Sequence, residues 1–233
     1  THDASIAHFN NVAVDTIITI GMLVGSLPFL LYLSAVTGAP GALFRDSQVQ
    51  WFVTVLALVI AIVAGWLWLG NGLTPLQSIH LSSFNVVSIM TGTGYATAGF
   101  DTWGSFAIPI FFFIMFIGGC AGSTTCGIKV FRFQVLYAAA KAQFENLAQP
   151  HGVFVPYYNR NPISDEVIKS VLSFFFVFGM TFAFLAVGLS LLGLDFLTSI
   201  SGAASAIANV GPGLGPTLEF YTLVSRELRR AEL

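Results

Sequence analysis

The sequence predicts an all-α integral membrane protein in which spanning helices alternate with re-entrant half-helices and glycine turns. Three observations carry this. Only 9% of the 233 residues are charged and 55% are hydrophobic, with a mean hydropathy of +0.81, against about 25% charged in soluble domains. Several apolar stretches reach the roughly 20 residues that a hydrocarbon core requires. Between two of them lies Thr91-Gly-Thr-Gly-Tyr-Ala-Thr97, and irregular backbone at membrane depth survives only inside protein or around a water-filled cavity.

The first predicted span covers residues 12–36, with Asp15 near one end and Pro28 within it, and Gly38-Ala-Pro-Gly41 stops it. Arg45 and Asp46 mark an aqueous turn before the second span, 49–69, an almost unbroken aliphatic and Trp sequence that ends at Gly70-Asn-Gly-Leu-Thr-Pro75. Residues 75–90 are too short and mixed to span. Thr74 as N-cap and Pro75 at the first helical position make them a re-entrant half-helix, which delivers the chain to the 91–97 turn. Residues 96–103 then climb back as extended chain.

The next apolar segment, 106–137, is long for one crossing and is interrupted by Gly118-Gly-Cys-Ala-Gly-Ser-Thr-Thr-Cys-Gly127, followed at once by Lys129 and Arg132. Residues 141–165 read as a polar connection with three prolines. A Phe-rich span follows over 167–192. Residues 196–208 repeat the short-helix pattern, with Asp195 as its N-cap, and lead into Asn209-Val-Gly-Pro-Gly-Leu-Gly215. The order span, short helix, glycine turn thus occurs twice, which points to a pseudo-symmetric arrangement around an axis.

Orientation follows from Lys and Arg. Arg45, Lys141, Arg160 and Lys169, with Lys129 and Arg132, fall on one side, whereas the loops carrying His80 and Asp101 hold neither residue type. The positive-inside rule therefore turns the glycine loops outward.

Other classes are disfavoured. A formal net charge of −2 gives no basic field to attract nucleic acid. Cys120 and Cys126 form a C-x5-C pair without nearby histidines, a poor zinc spacing, and read as free buried thiols. No phosphate loop, Ser/His/Asp arrangement or metal cluster supports an enzyme. Twenty-three Phe and 23 Gly suit a helical bundle with close contacts. The start, Thr1-His-Asp-Ala-Ser, lacks a basic leader region and a Met, so 1–11 reads as an extracellular loop entered in mid-course, in a piece of a longer protein.

Ser88-Ile-Met-Thr-Gly-Thr-Gly-Tyr-Ala-Thr-Ala-Gly-Phe100 and Phe116-Ile-Gly-Gly-Cys-Ala-Gly-Ser-Thr-Thr-Cys-Gly-Ile-Lys129 together resemble the Trk/Ktr/HKT superfamily of potassium transporters, and most the bacterial TrkH branch. Thr1-His-Asp-Ala-Ser-Ile resembles the segment just after that family's second pore turn, and Ser205-Ala-Ile-Ala-Asn-Val-Gly-Pro-Gly-Leu-Gly215 resembles its fourth. The resemblance implies helix–pore-loop–helix repeats around a central pore, part of a four-repeat, potassium-channel-like architecture. Residues 1–47 would be the outgoing helix of repeat two, 48–140 a complete repeat three, 141–165 a cytoplasmic connection, and 166–233 the incoming helix and pore loop of repeat four. The last outgoing helix is expected to be cut short, with Leu218-Glu-Phe-Tyr-Thr-Leu223 as its late part, so Arg226 is not matched to the arginine that the family carries there.

On that template the filter would be formed by carbonyls of Thr91, Gly92, Thr93 and Gly94 on one side and of Ala208, Asn209, Val210 and Gly211 on the other. Such dipoles can replace the hydration shell of potassium, the transported ion, without a fixed buried charge. The alternative is a pair of glycine turns between packed helices. The broken segment, with Gly118, Gly119, Gly122, Ser123, Thr124, Thr125, Gly127 and Lys129, would act as a gate beneath the filter; the competing reading is a G-x-x-x-G helix contact from Gly118 and Gly122. Lys129 either contacts groups near the pore or snorkels to the cytoplasmic interface. Asp15 reads as an interfacial helix-start residue, and His80 as a packed or interfacial histidine. The family implies a multi-pass protein of the bacterial inner membrane, a homodimer among membrane lipids, a cytosolic nucleotide-binding partner of the TrkA type, and no organic cofactor. A secondary transporter with alternating access and a cation site at broken helices is the competing class; it would be expected to show inverted repeats and intramembrane carboxylates.

Overall fold

The computed structural model describes residues 5–9, 11–39, 41–149, 151–159 and 161–214. The helices are α1 (Val12–Gly25), α2 (Phe29–Val36), α3 (Ala42–Arg45), α4 (Ser47–Gly70), α5 (Pro75–Met90), α6 (Ala107–Ile114), α7 (Val130–Ala148), α8 (Asp165–Leu191) and α9 (Phe196–Ala208). Among the described residues α4 and α8 are long and apolar enough to cross a membrane, and α1 with α2 forms a third, bent candidate.

Side-chain caps fix where several of these helices begin. The Asp46 carboxylate accepts from the Gln48 and Val49 amides (2.9 and 3.2 Å) at the start of α4, and Asp195 accepts from the Thr198 amide (3.2 Å) at the start of α9, as its sequence position predicts. Thr74 caps α5 reciprocally: its hydroxyl accepts from the Gln77 amide, and the Gln77 side chain accepts from the Thr74 amide. These bonds satisfy donors that a helix start leaves unpaired.

The first span departs from expectation. Residues 12–36 do not form one helix but two, bent by 92° at Ser26-Leu27-Pro28. Pro28 lacks an N–H and holds an extended backbone (φ −67°, ψ 127°), so the i→i−4 ladder is interrupted there. The Ser26 hydroxyl donates to the Leu23 carbonyl at 2.6 Å and the Tyr32 hydroxyl to the Val24 carbonyl at 2.6 Å. Carbonyls freed by the break are thereby paired within the protein, as low-dielectric surroundings demand.

The half-helix α5 is the centre of the packing. Phe84, Val86, Val87, Ile89 and Met90 are buried, against α4 residues such as Phe52, Leu56, Val63 and Leu67. Phe100 stacks on Phe111 with ring centroids 4.6 Å apart, and the Trp66 indole donates to the Trp103 carbonyl at 2.7 Å. The C-terminal half of α5, from Phe84 to Thr91, is encased by protein, whereas Leu76 and Ile79 near its start are exposed. The long α8 is the opposite case: of its residues only Val171 is buried, while Phe176 and Phe184 lie open. That distribution suits a helix that faces lipid or further protein. Where α8 meets α7, the Arg132 guanidinium sits 3.9 Å from the centre of the Phe174 ring, a cation–π contact.

One smaller expectation is corrected. Residues 96–103 are not extended throughout, because Phe100–Trp103 forms a 3₁₀ turn that inserts Phe100 into the core. The connection expected over 141–165 begins as helix, since α7 runs on to Ala148, with helix-forming Lys, Ala, Gln and Glu at its end. It then makes a two-residue antiparallel ladder, Tyr157–Tyr158 with Asn161–Pro162. The final-helix segment 218–223 and Arg226 lie outside the described residues.

Candidate functional site

The two glycine turns follow the C-terminal ends of α5 and α9. In the first, Gly92 and Gly94 hold φ of 67° and 76°; in the second, Asn209 is left-handed (φ 52°) and Gly211 has φ 109°. Glycine tolerates these values at little steric cost, and asparagine better than most residues.

The amides of each turn are tied back to their own helix. Thr93 and Gly94 both donate to the Ser88 carbonyl (3.0 and 3.3 Å). Val210 donates to the Ser205 carbonyl (3.0 Å) and Gly211 to the Ser205 hydroxyl (2.9 Å). None of these peptides is cis, and in a trans peptide the C=O opposes the N–H. The carbonyls of Gly92, Thr93, Asn209 and Val210 are therefore directed away from α5 and α9. The turns also meet: a Cβ added at Gly94 would stand 2.0 Å from the Val210 oxygen and 3.0 Å from Pro212 Cδ. The structure thus brings Gly92 and Gly94 against Asn209, Val210 and Gly211, while Thr91 is the C-cap of α5 and Ala208 the last residue of α9.

A second pair of contacts supports the chain leaving each turn. Buried Asn85 on α5 donates through Nδ2 to the Leu81 carbonyl (2.8 Å) and the Thr97 hydroxyl (2.9 Å), and its Oδ1 accepts from the Thr97 amide (3.3 Å). Buried Ser201 on α9 does the same for the second turn: its hydroxyl accepts from the Leu214 amide and donates to the Leu214 carbonyl, both at 2.9 Å. Sequence reasoning missed both residues, although each lies one helical turn before the serine that holds its loop. Asn85→Ala would leave the Thr97 amide unpaired at a cost of about 1–3 kcal/mol. The expected result is a fall of a few degrees in the midpoint of thermal unfolding with helical content retained, read by circular dichroism in detergent.

The break between α6 and α7 is an ordered loop. Gly118 donates to Ile128 and Ile128 to Phe116, both at 2.9 Å, so Ile117 and Ile128 pair as a parallel bridge. Gly118 and Gly119 have no room for a side chain: added Cβ atoms would lie 2.0 Å from the Cys126 oxygen and 2.6 Å from Thr125 Oγ1. Since Gly118 and Gly122 lie outside any helix, the G-x-x-x-G helix contact is excluded. Gly122 and Gly127 turn the chain at φ 75° and 72°. Lys129 folds back onto the loop. Its ammonium donates to the carbonyl of Thr125, the Thr125 hydroxyl (3.1 Å), and the Ser123 carbonyl and hydroxyl (3.3 and 3.4 Å).

This loop lies against both turns. The Asn209 Nδ2 donates to Cys126 Sγ at 3.2 Å, and a Cβ on Gly92 would be 3.2 Å from Cys126 Cβ. Both cysteines are free thiols. All eight residues from Gly118 to Lys129 named from the sequence belong to this loop or its hinge to α7.

Asp15 is more than a helix-start residue. Its buried carboxylate pairs with His80 Nε2 at 3.0 Å, joining α1 to α5 beside a cavity of about 370 Å³ that Gln77 and Thr97 also line. The two residues are 65 apart in sequence, and nothing local signals their pairing. Among the described residues no three His, Cys, Asp or Glu side chains cluster as metal ligands.

A family model described as TrkH, cation transport protein, matches residues 1–229. The chain is 48% identical over 197 residues to the Trk system potassium uptake protein TrkI of Halomonas elongata, covering 84% of this chain and 40% of that protein. It is 31% identical over 229 residues to TrkG of Escherichia coli K12, covering 97% of this chain and 47% of that one. The crystal structure of the potassium transporter TrkH from Vibrio parahaemolyticus superposes with a TM-score of 0.87 at 30% identity, over 92% of this chain and 47% of that one. The chain spans about half the length of the relatives it matches.

Proposed function

The chain belongs to the TrkH family of cation transport proteins, and from that premise we propose that it forms half of the wall of a potassium pore. The observation that carries this is the orientation of the Gly92, Thr93, Asn209 and Val210 carbonyls, turned from their own helices at two loops in contact with each other. Fixed carbonyl dipoles of this kind can replace water around a dehydrated potassium ion. Thr91 to Gly94 and Ala208 to Gly211 are the proposed filter segments. On this reading 1–47 closes repeat two, 48–140 is repeat three, 141–165 is a cytoplasmic connection and 166–233 opens repeat four, with the other two turns supplied from outside this chain.

The loop from Gly118 to Gly127, clasped by Lys129, is the proposed gate. Its contacts with Gly92 and Asn209 support a position just beneath the filter. The whole protein would take up potassium at the bacterial inner membrane, surrounded by lipid, as a homodimer with a cytosolic nucleotide-binding subunit of the TrkA type and without an organic cofactor.

Rubidium-86 uptake by the complete protein in proteoliposomes tests this. Unlabelled potassium is expected to compete strongly and a tenfold excess of sodium weakly. Equal competition by the two ions would overturn the filter assignment. Uptake that stops when an imposed proton or sodium gradient is collapsed, with potassium still driving inward, would replace the pore with a coupled carrier.

A further inference from the structure

The proposed gate does not rest on the pore turns alone; it is spliced into the broken helix α1–α2. In an uninterrupted helix the Phe29 amide would donate to the Gly25 carbonyl and the Leu30 amide to the Ser26 carbonyl, four residues back. Here the Phe29 amide instead donates to the Gly122 carbonyl at 3.0 Å. The Gly25 carbonyl accepts from the Thr124 amide (3.2 Å) and the Thr124 hydroxyl (2.9 Å), and the Ser26 carbonyl accepts from the Cys120 amide (3.1 Å). The loop thus supplies the acceptor and the donors that the bend left open.

We infer that α1–α2 is the second half of the gate: the bent helix holds the loop closed, and release of the loop is linked to straightening of the helix. The reason is the cost of unpaired backbone groups in a low-dielectric interior. If the loop left alone, the Phe29 amide and the Gly25 and Ser26 carbonyls would lose their partners. If the helix straightened, the Phe29 amide would pair with the Gly25 carbonyl and the Leu30 amide with the Ser26 carbonyl by the ordinary i→i−4 pattern, while the Gly122 carbonyl and the Cys120 and Thr124 amides would be released with the loop. The groups of the helix are therefore satisfied in two arrangements, which makes it a two-state element. Pro28 tilts the balance toward the bend, because even a straight helix could not offer an N–H at that position to the Val24 carbonyl. The Tyr32 hydroxyl takes that carbonyl in the bent form.

The inference rests on the reading of the 118–127 loop as a gate, and the test separates the two. An added Cβ at Gly25 lies 3.2 Å from Thr124 Oγ1, so cysteines at the two positions would bring their Cβ atoms near the roughly 3.5–4.5 Å that a disulfide needs. The complete protein carrying Gly25→Cys and Thr124→Cys, with Cys120→Ala and Cys126→Ala, is reconstituted and oxidised. Peptide mass spectrometry reads the link and rubidium-86 flux reads the gate. The expected result is a link in most molecules, a fall in flux of at least roughly tenfold, and recovery with dithiothreitol. Pro28→Ala, without cysteines, is expected to act in the opposite direction and raise basal flux several-fold, whereas a merely structural proline would lower flux or leave it unchanged. Failure of the link to form, or full flux in the linked protein while Lys129→Met still raises flux, overturns the coupling and leaves the gate. Unchanged flux in the linked protein, in Pro28→Ala and in Lys129→Met overturns the gate itself.

Discussion

Replacing Gly94 by serine is expected to remove most rubidium uptake by the complete protein and to let sodium compete with what remains. Two costs act together. The backbone at Gly94 has φ +76°, a region that costs a residue with a Cβ roughly 1–2 kcal/mol. The added Cβ would also stand 2.0 Å from the Val210 carbonyl oxygen, so one of the two turns must move. That carbonyl is among those directed away from α9, and in the proposed filter its displacement changes the spacing on which ion choice would depend. A combined penalty of about 2–4 kcal/mol corresponds to a loss of roughly 30- to 1,000-fold if it falls wholly on the conducting state. Paired rubidium-86 and sodium-22 fluxes in proteoliposomes read both effects. Wild-type preference in Gly94→Ser would remove Gly94 from the filter. Gly211→Ser is a useful contrast: its nearest neighbour would be Gly94 Cα at 3.9 Å, so strain acts without a clash and a smaller loss is expected.

The second large effect is expected at Lys129. Methionine in its place keeps most of the length and removes the ammonium, which four oxygens of Ser123 and Thr125 accept. Hydrogen bonds to a charged group contribute about 1.5–3 kcal/mol. If the loop is the gate proposed above, a lysine that holds it in its folded form stabilises the closed arrangement by that order, so Lys129→Met is expected to shift the balance toward open by roughly 10- to 100-fold. The measurement is basal rubidium flux without any activating partner, together with the rubidium-to-sodium ratio. Flux should rise while the ratio stays, because the proposed filter turns are held by Ser88 and Ser205 and not by Lys129. Unchanged basal flux would return Lys129 to a purely structural role.

The two variants probe different layers of one assembly. Cys126 and Asn209 join those layers, yet each layer keeps its own internal bonding. The Asn85 and Ser201 clamps belong to the two glycine turns, and the α1–α2 break belongs to the 118–127 loop. A variant on the loop side could reach the turns through Cys126, 3.2 Å from Asn209 Nδ2, or through α1, which the Asp15–His80 pair ties to α5.

Much of this arrangement was legible in the chain. Apolar runs marked α4 and α8 because the bilayer sets their length. Thr74-Pro75 and Asp195 marked the starts of α5 and α9 because unpaired amides at helix starts select those residue types. The glycines at 92, 94, 118, 119 and 211 announced irregular backbone, since only glycine combines free φ with the absence of a side chain. Motif resemblance gave the family, which the match over residues 1–229 bears out. These signals are local, or repeat at a readable spacing.

What the sequence left undecided depends on groups that meet across long separations. Pro28 could have been a mild kink in one span; the 92° bend exists because the 118–127 loop supplies the hydrogen bonds that the broken ladder lacks. Nothing local to Lys129 shows that its ammonium folds back onto Ser123 and Thr125. Asp15 and His80 carry no mark of each other in sequence, and Asn85 gives no sign that it holds Thr97. By itself the sequence determined that this is a helical membrane protein with two glycine turns and a broken helix, because composition and backbone freedom are properties of individual residues. Only the tertiary structure decided that the turns face each other and that the break is locked to both α1–α2 and the turns. The physical reason is that a buried backbone group must find a partner, and which partner is near enough depends on the whole packing.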